Sequence, residues 1–490
     1  MSDERSLDPD DWDEARRIFH AAVDCCIDRL RDIRLDPVWT ATPAEVKALL
    51  ATPAPPKPEP LDQLFETFRR DLLPYGTGNV HPRFFGWVHG AGTVAGALGE
   101  MLAGFMNCNV AGRDHVAVYV ERQVVQWCKE LFGFPESASG LLTTGTSMAT
   151  IIALAVARDA KSGADLRRAG VASAPRRIVG YASREAHGAI AKAFALLGLG
   201  EDALRLVPTD PSFRMSLDEL GAMIDADRAA GLAPALVVAS AGTVNTGAID
   251  DLAAIAALAR AEGLWLHVDA AFGGLAILAP EFRAALLPIR HADSIAFDFH
   301  KWPQVPYDAG CVLVKDEAAH RAAFSARRDY LAPDGSALAG GDPWFCEYGP
   351  EMSRGFRALK VWFTIKAYGT ERLGEIVARN CRQARALGQA VAASPALELL
   401  APVSLNIVCF RHVAPGLSEA ALDRLNADIV AALQESGIAA PSTTRIGGRL
   451  AIRVCLTNHR TVTADLALLV REAERLGQAM LEDLRGRPAA

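Results

Sequence analysis

Residues 264–302 read LWLHVDAAFGGLAILAPEFRAALLPIRHADSIAFDFHKW and hold two short apolar runs of strand type, Leu264–Val268 and Ser294–Phe299. The first ends on an acid, Asp269, followed by the small residues Ala270, Ala271, Gly273 and Gly274. The second runs straight into His300-Lys301-Trp302. Working outward, Arg177–Ser183 and Leu236–Ala241 read as further buried strands. Val116–Leu131, Met148–Val156 and Leu252–Glu262 read as helices. Strands alternating with helices predict an α/β chain with a mostly parallel sheet covered on both faces. Asp269 and Lys301 then sit at carboxyl ends of strands, where open α/β sheets place ligands.

An acid at one strand end and a lysine at another is the arrangement that pyridoxal phosphate (PLP) chemistry requires. The lysine holds the cofactor as a Schiff base, and the acid keeps the pyridine nitrogen protonated so that the ring accepts electrons. Lys301 lies between an apolar strand and Trp302-Pro303, a poor setting for a surface cation. Burial of such an amine favours its neutral, nucleophilic form. Gly140-Leu141-Leu142-Thr143-Thr144-Gly145-Thr146-Ser147 reads as strand, small-residue turn and helix start, and exposed N–H groups with hydroxyls suit a phosphate dianion. Ser and Thr also cap ordinary helices. The turn is not a Walker loop, because no GKS or GKT follows, and it is not the GxGxxG fingerprint of dinucleotide binding.

HVDAAFGG and DSIAFDFHKW resemble the matching segments of the PLP-dependent group II amino-acid decarboxylases, relatives of aromatic-amino-acid and glutamate decarboxylases. The resemblance extends over nearly the whole chain and is most specific between Asp269 and Lys301. It implies fold type I of the PLP enzymes: a large domain with a seven-stranded sheet and a small α+β C-terminal domain. The implied divisions are an N-terminal segment 1–80 packing on a partner subunit, the PLP domain 81–370 and the small domain 371–490. It also implies an obligate homodimer and catalysis by Lys301, His187 and Asp269. His187, in SREAHGAIAKA, stands where the family stacks a histidine on the pyridine ring. Thr146 and Ser147 fall at the phosphate turn, and Ala271 follows the acid. Ser294, Asp298 and His300 occupy positions from which the family contacts the phosphate or the lysine region.

The implied reaction is decarboxylation of an L-amino acid to an amine and carbon dioxide. The aromatic-rich HPRFFGWVHG, residues 81–90, matches a stretch lining the substrate pocket, which puts Trp87, Val88 and His89 beside the substrate side chain. His89 stands where aromatic-amino-acid decarboxylases carry proline. Val244 replaces a threonine that many relatives hold near the ring. Arg328–Phe345 reads as a long loop, and the matching loop of the family bears a tyrosine that protonates the substrate carbon. Counting back from Ser353-Arg354-Gly355 puts Phe345 at that tyrosine's place, with Tyr348 three positions on. A phenyl ring cannot donate a proton, so oxidative decarboxylation to an aldehyde is the alternative. Another fold type I lyase or an aminotransferase would share Asp269 and Lys301. Trp87 and Phe345 suit an aromatic or apolar substrate side chain, and His89 suits a hydroxyl or a carboxylate.

The 490 residues are too many for one hydrophobic core, so two or three domains are expected. Half are hydrophobic, and the net charge of −7 argues against nucleic-acid or anionic-membrane partners. The opening MSDERSLDPDDWDE lacks the basic and apolar regions of a signal peptide. The apolar stretch Gly92–Gly112 is interrupted by Glu100 and Asn107 and reads as packed helix, not a bilayer span. Nine cysteines without paired spacing fit reduced thiols in the cytoplasm, and the adjacent Cys25 and Cys26 read as helix packing, not metal ligands. Amphipathic helices at Asp11–Asp36 and Leu61–Leu73 flank a proline-dense linker, Pro53–Pro60. The C-terminal part reads as strand Leu405–Phe410, helix Leu417–Ser436, strand Leu450–Leu456 and helix Thr463–Leu484. In it Arg453, Asn458 and Arg460 are expected to be structural.

Overall fold

The computed structural model describes residues 6–325 and 337–486. Seven strands form one sheet: β1 (Ser139–Thr143), β2 (Ile178–Ser183), β3 (Leu204–Val207), β4 (Ala233–Ser240), β5 (Trp265–Asp269), β6 (Ser294–Asp298) and β7 (Gly310–Val314). Their order is β1-β7-β6-β5-β4-β2-β3. The run from β6 to β3 is parallel, and β7 is antiparallel to both its neighbours. Every residue of β1, β2, β5, β6 and β7 is buried. That explains why these strands are nearly continuous apolar runs: a sheet covered on both faces has no wet side to alternate with.

A second sheet is wholly antiparallel, in the order β10-β11-β9-β8. Its strands are β8 (Leu397–Leu399), β9 (Ile407–His412), β10 (Ser442–Ile446) and β11 (Arg449–Cys455). Helices Glu419–Glu435 and Thr463–Gly486 accompany it, and it has its own core around Phe410, Ile429, Ile452 and Leu469. The two sheets are joined by Arg357–Ala393, helical on either side of Gly369, whose φ of 68° and ψ of 160° break the helix. Glycine takes that conformation without a Cβ clash.

At the N-terminal side, helix Trp12–Asp32 starts on Asp11, whose carboxylate accepts from Asp13 N and Glu14 N at 2.8 and 3.0 Å. The helix buries none of its side chains. The second expected helix runs from Leu61 to Thr67 and continues as a wider turn, Phe68–Leu72. Helix Val94–Met106 replaces the stretch Gly92–Gly112, and no helix of the described residues is long and apolar enough to cross a membrane.

Residues 84–91 stitch the two sheets together. Phe85 N donates to Ala440 O, Cys455 N donates to Phe85 O, and Gly90 N donates to His300 O, at 2.9, 2.9 and 3.1 Å. A Cβ on Gly90 would stand 2.4 Å from both His300 O and Lys301 O, so only glycine fits this close approach.

Candidate active site

A cavity of about 360 Å³ opens at the carboxyl ends of the central strands, between the two sheets. It brings together Trp87, Val88, His89, His187, Asp269, Ala271 and Lys301 from the sequence-derived set. At its centre, Asp269 ends β5 and Lys301 follows β6 by three residues. Burial pushes the Asp269 carboxyl above its ordinary value, with the Lys301 charge pulling the other way. Ala271 N donates to Asp269 Oδ1 at 3.1 Å, which fixes the carboxylate's orientation. His187 lies on the exposed shoulder after β2, and its Nδ1 accepts from Ala189 N at 3.1 Å. The ring is thereby set, and its other nitrogen carries the proton in the neutral form.

Lys301 Nζ pairs with Asp298 Oδ2 at 2.8 Å, and Asp298 Oδ1 accepts from Thr146 N at 2.6 Å. One carboxylate therefore ties the lysine to the N-terminus of helix Thr146–Lys161. That helix has no side-chain cap at Gly145. Packing there is tight: a Cβ on Gly310 of β7 would lie 2.5 Å from Gly145 Cα. His300 Nδ1 accepts from Ala309 N at 3.1 Å, so its proton sits on Nε2, 3.6 Å from Asp298 Oδ2. Burial lowers the His300 pKa against the opposing pull of Asp298, favouring the neutral ring.

The donors at this end fit PLP. Thr146 Oγ1 is buried with no hydrogen-bond partner among the described residues, at a helix start whose first N–H is taken by Asp298 and whose Ser147 is exposed. An orphaned hydroxyl beside an exposed one at a helix N-terminus matches a phosphate. A buried carboxylate with one backbone donor matches a protonated pyridine nitrogen, and a lysine between them matches an aldehyde carbon.

The other end of the cavity is assembled from distant segments: Trp87–His89, Val244-Asn245, Tyr307, and Ser442–Thr444 with Arg453. Trp87 has φ 49°, a left-handed conformation uncommon for a bulky residue. It is held there by Trp87 N donating to Ser442 Oγ at 3.3 Å and Arg453 Nη1 donating to Trp87 O at 2.9 Å. Arg453 also donates to Val244 O at 2.6 Å and Asn245 O at 3.3 Å, so one buried guanidinium pins two distant segments to β11. Its structural role joins a place on the cavity wall. Tyr307 and the β10 residues went unread in the sequence. The signal for Tyr307 was β7 itself: an apolar run returning antiparallel forces the connection 299–309 over the sheet's carboxyl edge.

Two sequence-derived positions lie elsewhere. Ser294 begins β6, four residues before Asp298, which is about 13 Å down the strand from the cavity end. Its hydroxyl accepts from Trp265 Nε1 at 2.8 Å and pairs with His267 Nδ1 at 2.9 Å, inside the core. A strand's two ends face opposite edges of the sheet, so Ser294 cannot reach the phosphate turn. Phe345 is buried in the large core under the Arg354 guanidinium, 5.0 Å from its ring centroid, and borders a separate cavity near β1. Tyr348 Oη pairs with Glu317 there. Phe345 is thus a packing residue and says nothing about proton delivery at Lys301. Much of the expected loop, residues 328–336, lies outside the described residues.

A mostly parallel sheet carrying acid, lysine and helix N-terminus on one edge defines a PLP enzyme of fold type I. Residues 43–413 match the pyridoxal-dependent decarboxylase conserved domain, and the chain belongs to that family. It is 31% identical to an aromatic-L-amino-acid decarboxylase of Bacillus atrophaeus over 95% of this chain and 96% of that protein. It is 30% identical to a phenylacetaldehyde synthase of Arabidopsis thaliana, covering 96% and 98%. The crystal structure of Oryza sativa TDC with PLP and tryptamine superposes with a TM-score of 0.89 at 26% identity, covering 97% of this chain and 100% of that one. The protein is a PLP-dependent carboxy-lyase.

Proposed function

We propose that the enzyme decarboxylates a free aromatic L-amino acid at the Lys301 cavity, releasing the amine. The observation that carries this reading is the line of Asp269, Lys301, Asp298 and Thr146 along one sheet edge. Bound PLP supplies a ring that takes up the electrons of the Cα–carboxylate bond. Lys301 would anchor the cofactor, and its amine would lie beside the reacting carbon. Asp269, buried and fixed by Ala271 N, would hold the pyridine proton. Thr146, Ser147 and His300 Nε2 would hold the phosphate, and His187 would cover the ring face. The rings of Trp87 and His89 give the cavity an apolar wall, against which a substrate carboxylate would shed its charge more readily than in water.

The test is simultaneous assay of carbon dioxide, amine, aldehyde and hydrogen peroxide from the PLP-loaded enzyme. Amine with carbon dioxide and no oxygen uptake supports the reading. Aldehyde and peroxide from the unaltered enzyme would replace it with oxidative decarboxylation.

A homodimer is part of the proposal. Trp12, Phe19, Val23 and Ile27 on the N-terminal helix and Leu98 and Phe105 on helix Val94–Met106 are exposed, an apolar surface that a second copy would cover. Cytoplasmic residence is supported by the cysteines, of which no described one is in a disulfide.

A further inference from the structure

Most polar groups at the substrate end are already engaged. Arg453 gives its donors to three carbonyls, Thr444 Oγ1 donates to Asn245 Oδ1 at 2.7 Å, and Asn245 Nδ2 donates to Glu185 Oε2 at 3.2 Å. Two rings beside Lys301 differ: neither the His89 imidazole nor the Tyr307 hydroxyl has a hydrogen bond among the described residues. His89 packs against both Phe84 and Trp87, each at 5.7 Å between centroids with interplanar angles of 15° and 27°, and those two rings touch each other at 6.1 Å. It meets Tyr307 edge-on at 5.8 Å and 74°. Tyr307 in turn lies over His300 at 4.3 Å, next to Lys301. Ring contacts hold His89 and Tyr307 in this cluster of five rings, so their polar atoms are positioned but unspent.

Burial depresses the His89 pKa, and the nearby Lys301 and His300 push it the same way. A neutral imidazole has one donor and one acceptor and offers no countercharge to an acidic side chain. A phenol can donate to one of these groups and accept from the other. An indole N–H can only donate, and a phenyl ring would leave both groups desolvated and unmatched, which costs affinity.

We propose that His89 and Tyr307 read a hydroxyl on the far edge of the substrate's ring, making the enzyme selective for a phenolic amino acid over its phenyl counterpart. The inference rests on the decarboxylase reading of the cavity and adds the side-chain class to it. The test uses the PLP-loaded enzyme with L-tyrosine, L-tryptophan and L-phenylalanine, measuring kcat/KM for carbon dioxide release. In parallel, the visible absorbance is titrated with each amino acid to give affinity without chemistry. The unaltered enzyme is expected to favour tyrosine over phenylalanine by about tenfold or more, with tryptophan between. His89→Phe and Tyr307→Phe keep the stack and remove only the polar atoms. Each is expected to cut the tyrosine-to-phenylalanine ratio about tenfold, and His89→Asn to restore part of it. Because the readout is a ratio, a general loss of activity cancels. A ratio unchanged in both phenylalanine variants, or an unaltered enzyme that prefers phenylalanine, would overturn the inference. Carbon dioxide from none of the three, with the order of affinities retained, would strike the decarboxylase reading and leave the pocket assignment supported.

Discussion

The two ends of the cavity are built in opposite ways. The cofactor end comes from neighbouring strands and the helix packed on them: Asp269, Asp298, Lys301 and Thr146 are fixed by the sheet. The substrate end is gathered from residues 87–89, 244–245, 307 and 442–453, which have no common element and meet through hydrogen bonds and ring contacts across the seam. The first end works because of backbone register, and the second depends on a few buried donors and one glycine. Chemistry common to a family belongs on the rigid end. Choice of substrate belongs on the end that a few substitutions can rebuild.

That contrast can be broken most severely at Gly90, where the ends touch. Gly90→Ala drives a Cβ into His300 O and Lys301 O and must part the substrate strip from the lysine segment. Steady-state kinetics should show a loss in kcat/KM of about 100-fold or more, since an ångström of misplacement has that effect. A variant within a few-fold of the parent would mean the two segments do not need this contact. Next in size is Arg453→Met, which strips donors from three carbonyls and should destabilise the protein by about 3 kcal/mol in denaturant unfolding, with a raised KM. If the arginine served only the substrate end, KM alone would move.

Thr146→Val keeps the shape and removes the orphaned hydroxyl. PLP affinity, followed by fluorescence during reloading of the apoenzyme, should weaken about tenfold. Ser294→Ala is the matching control at the far end of β6. It loses the bonds to Trp265 and His267, with a cost to stability of about 1 kcal/mol and no change in PLP affinity. Weakened cofactor binding in that variant would contradict the placement of Ser294.

The same contrast governs what could be read from the chain. β5 and β6 end in Asp269 and at the doorstep of Lys301, and their apolar runs lie in sequence as they lie in space. The phosphate turn was legible for the same reason, being strand, turn and helix in succession. Ser294 is corrected because the resemblance assigns it by its place in a matching segment, whereas four residues along a strand cross the sheet from one edge to the other. Phe345 failed because its position was counted back through a stretch with no periodicity to hold the register. The wall of β10 is illegible because nothing local marks residues whose cavity neighbours are more than a hundred positions away, and Tyr307 shows only through the antiparallel return of β7. His89 lay between these cases: the aromatic strip was plain, but only the packed rings reveal that its imidazole is left without a partner.

The measurement closest to the central claim is reduction of the PLP-loaded protein with borohydride, followed by proteolysis and mass mapping of the pyridoxyl group. The account predicts the adduct on Lys301, and a Lys301→Ala protein with neither the visible absorbance of the loaded enzyme nor turnover. An adduct on another lysine, or a Lys301→Ala variant that keeps both, would contradict it.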